Sequence, residues 1–415
     1  MKIVGLITEY NPFHNGHLYH IKTAKKLTDA DYVVVVMSGN FLQRGTPAII
    51  DKYSRTRMAL ASGADLVIEL PCAYSTSSAE FFASGSVALL SQMGCIDYLC
   101  FGSECGDTEI LKKIAFILAD EPLTFKELLK KYLKEGLSFP IGRKKALLDY
   151  MADTTMTKEE LEPILSEPNN ILAIEYIKAL IKQNSKIIPL AIKRVVSGYH
   201  DSLIKDKICS ATAIRTAFQT SGLNSFREQV PSYVFDILSE AYNRTFPIYP
   251  NDFSSLLKYR LLLQNSKPFQ AYWDVSESLA NTITRMLSQF KNYEDFANLL
   301  KSKQYTFTRI NRSLIHILLN LEADTIHQFI EHNYALYIRI LGFRKSSTPL
   351  LTAIKANSGI PIISKLADAK NHLTQLGLLM LEQDILASDI YNTIVIDKFD
   401  FSIPNEFQQQ IVIFE

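Results

Sequence analysis

The stretch EYNPFHNGH, residues 9–17, follows directly on the apolar run IVGLI of residues 3–7. An apolar run, a turn containing Asn and Pro, and then a polar segment predict a strand that turns sharply into a helix. His14 and His17 are three residues apart, so both imidazoles lie on one face of the first helical turn. Gly16, between them, has no Cβ and allows a ligand to approach the backbone closely.

This turn predicts a phosphate-binding site. A helix N-terminus offers unpaired N–H groups and the positive end of the helix dipole, both of which attract a phosphate. The alternative is a pair of histidines that only cap the helix and contact water. The strand before the motif and the helix after it favour the phosphate site, because structural context is what confirms such a motif.

The first hundred residues alternate between apolar runs and helical patterns. The four valines at 33–36 show no polar alternation, which predicts a strand buried on both faces and hence a parallel sheet. Repeated strand–helix–strand units predict an open, Rossmann-like, doubly wound α/β sheet, which binds ligands beyond the carboxyl ends of its strands. The predicted strands are 2–8, 31–37, 64–70, 96–101 and 186–192, and the predicted helices are 16–28, 52–62, 77–93 and 173–183.

The pattern changes character after about residue 222. Residues 229–390 show mainly helical periodicity with breaks at prolines, which predicts a second, mainly α-helical domain. We therefore expect a nucleotide-binding domain at 1–222 and a helical domain at 223–415. The last 20 residues are too short a segment to classify.

The composition sets limits on the class of protein. Lys and Arg total 44 against 43 Asp and Glu, so a nucleic-acid surface would have to be a local patch. No secretory signal and no apolar stretch of about 20 residues is seen, so we expect no membrane association. The five cysteines form no C-x-x-C pair, which predicts no zinc site and, with the other signals, a reducing cytoplasm.

A second motif, SATAIR at residues 210–215, opens another predicted helix. Ser210 is a favourable N-cap residue, and Thr212 and Arg215 are spaced so that both can point back toward the helix start. Hydroxyls, free N–H groups and a guanidinium together predict a second phosphate-binding site. The motif is weak alone and gains its weight from the histidine motif earlier in the chain.

Polar residues also follow the other predicted strands. Arg44 is a forked donor suited to a phosphate or carboxylate, and Gly102 would let a base or ribose pack on the backbone. Of Asn169 and Asn170, one is expected to cap the following helix while the other binds a ligand. Arg194 adds a cation at the same edge. For each of these residues a purely structural or solvated role is the alternative.

Two groups of basic residues in the C-terminal half are interleaved with aromatic side chains. Such a mixture suits the phosphates and unstacked bases of a nucleic acid, although solvated helix faces over core aromatics give the same pattern. The candidate RNA-binding residues are Lys301, Lys303, Arg309, Arg312, Arg344 and Lys345.

The two motifs together resemble the nucleotidylyltransferase superfamily of the HxGH type. The longer wording resembles the bacterial tRNA(Met) cytidine acetate ligase family, and this resemblance covers essentially the whole chain. The matching parts are residues 9–17, 38–47, 65–71, 101–104, 168–176, Arg194, the GYHD of residues 198–201 and the long helical C-terminal half.

The resemblance implies a two-step reaction. Acetate would attack the α-phosphate of ATP, displace pyrophosphate and form acetyl-adenylate. The exocyclic amine of the wobble cytidine in elongator tRNA(Met) would then take the acetyl group, giving N4-acetylcytidine and AMP. Magnesium is expected to accompany ATP, but its protein ligands are not evident, and the sequence does not define the oligomeric state.

The resemblance also implies roles for individual residues. His14, His17 and Arg215 would stabilise the α-phosphate and the leaving pyrophosphate. The residues expected to bind ATP are Ile7, Thr8, Glu9, Tyr10, Asn11, Pro12, Phe13, His14, Asn15, Gly16, His17, Leu18, Tyr19, His20, Gly102, Asn169, Asn170, Arg194, Ser210 and Thr212.

Two other functions fit parts of the same sequence. One is a nucleotidylyltransferase that adenylylates a small phosphomonoester, which would leave the helical half unexplained. The other is an RNA-binding protein that senses a nucleotide without turnover, which would not need to keep both histidines.

Overall fold

A computed structural model describes residues 1–152, 156–194, 208–263 and 268–415. In these ranges one mixed sheet of eight strands forms the centre of the molecule, and a two-stranded hairpin lies outside it. The strands are β1 (Ile3–Thr8), β2 (Tyr32–Ser38), β3 (Phe41–Leu42), β4 (Thr46–Pro47), β5 (Leu66–Leu70), β6 (Tyr98–Ser103), β7 (Ile188–Lys193), β8 (Ile338–Arg344), β9 (Ile362–Ile363) and β10 (Val412–Phe414).

The strand order in the sheet is β10-β8-β5-β2-β1-β6-β7, with β9 paired to β8. Strands β5, β2, β1, β6 and β7 run parallel, and Val33–Val36 are fully buried, as their unbroken apolarity predicts. The carboxyl ends of these strands therefore lie at one edge, where the turn of residues 9–14 begins. All five predicted strands are present, with each end within two residues of its predicted position.

Helices cover both faces of the sheet and form most of the second half of the chain. They are α1 (Asn15–Thr28), α2 (Lys52–Ala61), α3 (Cys72–Ser75), α4 (Ala79–Gln92), α5 (Thr108–Asp120), α6 (Leu123–Lys134), α7 (Phe139–Met151), α8 (Lys158–Ile164), α9 (Pro168–Lys182), α10 (Ala211–Ser221), α11 (Ser232–Ala241), α12 (Ser254–Leu262), α13 (Glu277–Met286), α14 (Tyr293–Leu299), α15 (Phe307–Leu318), α16 (Ala323–Glu331), α17 (Thr348–Asn357) and α18 (Gln375–Phe399). None of the helices in the described ranges is long and apolar enough to cross a membrane.

The second half of the chain also contributes to the sheet, which helical periodicity did not predict. Strand β8 pairs antiparallel with β5, and β9 and β10 pair with β8. The segment IRILGFR of β8 is a short apolar run, and such runs do not distinguish a buried strand from a buried helix. The fold class is confirmed, but three strands of the sheet lie beyond residue 223, and the division into two domains stays a prediction.

Candidate active site

His14 begins helix α1 and closes its first turn through a reciprocal pair of hydrogen bonds. Its Nδ1 accepts from the Gly16 N–H at 3.1 Å, and its own N–H donates to Nδ1 of His17 at 3.2 Å. This is a capping box in which both side chains are imidazoles. The two rings stack with centroids 3.7 Å apart and planes at 26°. Capping therefore fixes the position of both rings.

The same hydrogen bonds define the protonation of the two rings. Because each Nδ1 accepts a hydrogen bond, the proton of each neutral ring is on Nε2. Burial, with the charges of Arg194 and Arg215, lowers the pKa of His14 to about 3. Burial and the neighbouring His14 lower the pKa of His17 well below its usual value, and burial and Arg194 lower that of His20 to about 4. The paired imidazoles are thus neutral near pH 7 and present Nε2–H donors.

Gly16 makes room for the His14 ring. An ideal Cβ on Gly16 would lie 2.8 Å from Cε1 and 3.0 Å from Nδ1 of His14. On its other side the His17 ring packs against Tyr10 and Phe13, with centroids 4.9 Å and 5.5 Å away. Both aromatic side chains are buried. Core packing and the glycine together hold the imidazole pair in one arrangement.

Helix α10 begins at the second predicted phosphate-binding motif. Ser210 is its N-cap, as predicted, and its Oγ accepts from the Ala213 N–H at 3.1 Å. The Arg215 guanidinium donates to Thr212 Oγ1 at 3.1 Å and to the carbonyl oxygen of Asn11 at 2.7 Å. The second bond joins α10 to the turn that precedes His14. Two helix N-termini therefore lie close together at the carboxyl end of β1.

The prediction that an asparagine caps helix α9 is wrong. The Glu104 carboxylate, which follows β6, accepts from the N–H groups of Asn169 at 3.4 Å and Asn170 at 2.9 Å. Asn170 is buried, and its Oδ1 accepts from Ser103 Oγ at 2.7 Å. The Asn169 side chain lies between Glu104 and Arg194, whose Nη1 donates to Asn169 Oδ1 at 3.4 Å. A carboxylate binds the positive end of the helix dipole more strongly than an amide does, which explains the exchange.

Arg194 connects this group to the imidazoles. It follows β7, and its backbone N–H donates to the Ser103 carbonyl oxygen at 2.9 Å. Its aliphatic stem packs over Gly102, where an ideal Cβ would lie 3.3 Å from Arg194 Cγ. Its charge contributes to the lowered pKa values of His14 and His20. Residues predicted from three separate stretches of sequence are therefore neighbours in the fold.

Sequence reasoning missed Arg55, a fully buried arginine of helix α2. Its guanidinium donates to the carbonyl oxygens of Glu9 at 2.8 Å, Ser38 at 2.9 Å and Ile50 at 3.1 Å, and also to that of Gly39. It therefore ties the carboxyl ends of β1 and β2 to each other. Nothing in the local pattern of α2 distinguishes this arginine from one that faces solvent.

A buried network of ion pairs was also missed. Lys52 Nζ lies 2.7 Å from Glu69 Oε1 and 3.1 Å from Glu406 Oε1, and Arg339 lies 3.1 Å from Glu69 Oε2 and also pairs with Glu406. Burial opposes ionisation of Glu406, but Lys52 and Arg339 lower its pKa overall. Burial and the charge of Glu69 raise the pKa of Asp384, beside the network, to about 6. The network joins β5, β8 and the C-terminal segment, and such distant partners leave no local sequence signal.

The loop of residues 39–47 borders the site and carries Arg44. Glu9 Oε1 accepts from the Gln43 N–H at 2.8 Å, which fixes the loop to the end of β1. Asn40 is buried, and its Oδ1 accepts from the Lys52 N–H at 2.9 Å. Burial lowers the pKa of Arg215, and the nearby charge of Arg44 lowers it further. Arg44 and Arg215 therefore contribute positive charge to the same part of the site.

Two of the candidate RNA-binding residues lie on helix α15, against this loop. The Gly45 backbone touches that of Arg312, since an ideal Cβ on Gly45 would lie 2.2 Å from the Arg312 nitrogen. Arg309 and Arg312 both pair with Asp274, at 3.3 Å and 3.1 Å. The carboxylate offsets part of their positive charge.

The other four candidates divide between two places. Lys301 and Lys303 are exposed just before α15. Arg344 donates its backbone N–H to the Asp65 carbonyl oxygen at 2.9 Å, where β5 begins, and its guanidinium lies 4.9 Å from an aromatic ring of β10. Lys345 pairs with the last residue of the chain. Arg344 and Lys345 thus lie near the amino end of β5, whereas the histidines lie at the carboxyl ends of the parallel strands.

The GYHD of residues 198–201 lies outside the described residues. In the ranges that the structure describes, no group of three or more His, Cys, Asp or Glu side chains is arranged to hold a metal ion.

Neutral imidazole donors, two helix N-termini and a guanidinium at the carboxyl ends of a Rossmann-like sheet define the site of a nucleotidylyltransferase. The chain belongs to the family described as HIGH Nucleotidyl Transferase, whose family model matches residues 1–404.

Similar proteins agree with this assignment. The chain is 44% identical to the tRNA(Met) cytidine acetate ligase of Clostridium perfringens, over 94% of this chain and 95% of that protein. It is 43% identical to the protein of the same name from Halothermothrix orenii, over 97% and 99%. Crystal structures of Thermotoga maritima TmcAL, apo and bound with alpha-thio ATP, are 32% identical, cover 100% of both chains and give TM-scores of 0.94 and 0.92.

Proposed function

We propose that the protein is an ATP-dependent tRNA(Met) cytidine acetate ligase. It is a ligase of the HIGH nucleotidyl transferase family, and its near full-length relatives at 41% to 45% identity carry this name. The observation that carries the mechanism is the pair of neutral imidazoles held beside Arg215 at two helix N-termini. The same arrangement suits binding of the triphosphate and charge stabilisation at its innermost phosphorus.

The first step forms acetyl-adenylate. Acetate is ionised near neutral pH, so it needs no general base to attack the α-phosphate. The Nε2–H groups of His14 and His17 donate to the non-bridging α-phosphate oxygens, where negative charge builds up in the transition state. Neutral donors suit this task because their position is fixed by the capping box and costs no reorganisation during the reaction.

The second phosphate-binding motif holds the leaving group. Arg215, the Ser210 and Thr212 hydroxyls and the free N–H groups of α10 bind the β- and γ-phosphates and stabilise the departing pyrophosphate. Magnesium would be bound by the phosphate oxygens of ATP and would neutralise part of their negative charge.

The nucleoside of ATP is bound at the carboxyl ends of β6 and β7. Gly102 lets the Arg194 stem pack on the backbone there, and the Arg194 guanidinium, which donates to Asn169 Oδ1, supplies hydrogen-bond donors. Asn170 acts indirectly, because its side chain is used to position the residues after β6. The backbone of residues 7–20 completes the binding site.

The second step transfers the acetyl group to tRNA. The exocyclic amine of the wobble cytidine attacks the acetyl carbonyl of the adenylate, and AMP leaves. An anticodon base is in a loop and can turn outward into the site. Residues 223–415 form the part that binds tRNA, with Arg309 and Arg312 on the helix against the loop at 39–47 and Lys301 and Lys303 exposed just before that helix. The reaction takes place in the cytoplasm, where ATP and tRNA meet.

One experiment tests this function. Purified protein is incubated with ATP and labelled acetate, with and without tRNA. We expect acetate-dependent exchange of pyrophosphate into ATP without tRNA, and label in the tRNA when it is added. Exchange that requires a phosphorylated small molecule instead of acetate would contradict the proposal, and so would tRNA binding without exchange.

A further inference from the structure

The second step requires a base that the first step does not. When the cytidine amine attacks the acetyl carbonyl, its nitrogen gains positive charge and must lose a proton before AMP can leave. The lone pair of this amine is delocalised into the pyrimidine ring, so the amine is a weak nucleophile. A positioned general base typically accelerates such a step by about 10²–10⁴-fold.

The paired imidazoles of His14 and His17 cannot act as this base. Each Nδ1 of His14 and His17 already accepts a backbone hydrogen bond, and the other nitrogen of each ring carries the proton. The guanidinium groups of Arg194 and Arg215 have no acceptor. Nε2 of His20 is buried and has no surface that a substrate could reach. The acidic candidates among the described site residues are the carboxylates of Glu9 and Glu104.

Glu104 is fully used by the fold, whereas Glu9 is not. Both Glu104 oxygens accept hydrogen bonds from the start of α9. Glu9 is half-buried and uses Oε1 to accept from the Gln43 N–H, and Oε2 has no hydrogen-bond partner among the described residues. A carboxylate with one fixed and one unused oxygen is oriented and still able to accept a proton.

Glu9 lies in the part of the site that is assigned to the phosphates of ATP. It follows β1 directly and precedes the turn whose Asn11 carbonyl oxygen binds Arg215. Burial lowers the pKa of the Arg215 guanidinium, and the Glu9 carboxylate opposes that shift. The carboxylate lies against the loop of residues 39–47, two residues before the carbonyl oxygen that binds the guanidinium assigned to the phosphates.

We infer that Glu9 is the general base of acetyl transfer, an inference that rests on the function proposed above. The cytidine nitrogen forms a bond to the acetyl carbon while Glu9 Oε2 takes the proton from that nitrogen. The bond from the carbonyl carbon to the phosphate oxygen then breaks, and its electron pair leaves with AMP. Glu9 returns the proton to water after the acetylated base departs.

The test bypasses the first step by supplying synthetic acetyl-adenylate together with tRNA. Glu9→Gln keeps an oxygen for the Gln43 N–H but cannot take a proton. We expect its single-turnover transfer rate at pH 7 to fall by about 100-fold or more, and to rise with pH between 6 and 9 as hydroxide replaces the missing base. A rate within threefold of the wild-type rate would overturn the inference.

Chemical rescue separates a base from a structural carboxylate. Added formate should restore the transfer rate of Glu9→Ala at least tenfold, while Glu104→Ala, which loses a helix cap, should gain nothing. Rescue of Glu9→Ala by magnesium and not by formate would make Glu9 a metal ligand and overturn the inference. The inference would also be overturned if Asp201→Asn, in the GYHD of residues 198–201, showed the pH-dependent loss of transfer rate and Glu9→Gln did not.

The two proposals fail in different ways. If wild-type protein transfers no acetyl group from the synthetic adenylate to tRNA, the proposed function is wrong. If wild-type protein does so and Glu9→Gln is equally fast, only the role of Glu9 is wrong.

Discussion

Replacing Gly16 by Ala should displace the His14 imidazole without unfolding the protein. The new Cβ would lie 2.8 Å from Cε1 of the ring, whereas ordinary contacts begin at 3.4 Å. The ring must rotate away, which breaks its hydrogen bond with the residue 16 N–H and its stacking on His17. Loss of one preorganised donor to the α-phosphate should lower the rate of adenylate formation by about 10²–10³-fold.

Stability should change little in this variant because two effects offset each other. Alanine stabilises a helix by about 0.5–1 kcal/mol relative to glycine, and loss of the side-chain cap costs about 0.5–2 kcal/mol. Acetate-dependent pyrophosphate exchange measures the activity, and thermal unfolding checks the fold. The double variant Gly16→Ala/His14→Ala should be no slower than His14→Ala alone, since both remove the same donor. A Gly16→Ala enzyme that exchanges at the wild-type rate, or an additive double variant, would refute this reasoning.

An unfolded histidine has a pKa near 6.5, and the folded pKa of His14 is about 3, so the contribution of His14 to the free energy of unfolding is complete above about pH 6.5 and is lost as the pH falls toward 3. In urea unfolding from pH 7 to 4, the free energy of unfolding should therefore decrease less for His14→Gln than for the wild type. An equal decrease in both proteins would contradict the assignment. Arg55→Lys leaves several buried carbonyl oxygens unpaired and should lower the free energy of unfolding, measured by urea titration, by about 3 kcal/mol. A decrease in that free energy of less than about 1 kcal/mol would mean that the guanidinium is replaceable. Asp274→Asn removes the carboxylate that pairs with Arg309 and Arg312, so it should strengthen tRNA binding and steepen the salt dependence of that binding. Arg312→Ala should weaken tRNA binding and flatten its salt dependence, and unchanged binding in both variants would place the RNA surface elsewhere.

Local sequence pattern predicts the half of the sheet that holds the site. Buried parallel strands read as unbroken apolar runs, and the histidine and serine motifs lie at helix starts where N-caps are expected, so both are visible in a few consecutive residues. Strand β8 could not be placed, because its partner β5 is about 270 residues earlier in the chain. Its pairing depends on tertiary packing that no short window records.

The side chains that hold the site rigid were equally invisible. Arg55 binds four carbonyl oxygens from three different segments, and Lys52 meets Glu406 only in the folded chain. The capping of α9 was assigned to an asparagine because a local rule favours it, whereas a glutamate from the end of β6 does the capping. Residues that touch the ligand follow local motifs, while residues that position them follow the fold.

The central claim is that acetate attacks the α-phosphate of ATP at the imidazole pair. Acetate labelled with ¹⁸O in both carboxylate oxygens tests it directly, with tRNA(Met) present and the nucleotide product analysed by mass spectrometry. Attack at the α-phosphate followed by acetyl transfer leaves one labelled oxygen in AMP, and we expect AMP with a single ¹⁸O atom. Unlabelled AMP, or ADP in place of AMP, would contradict the account.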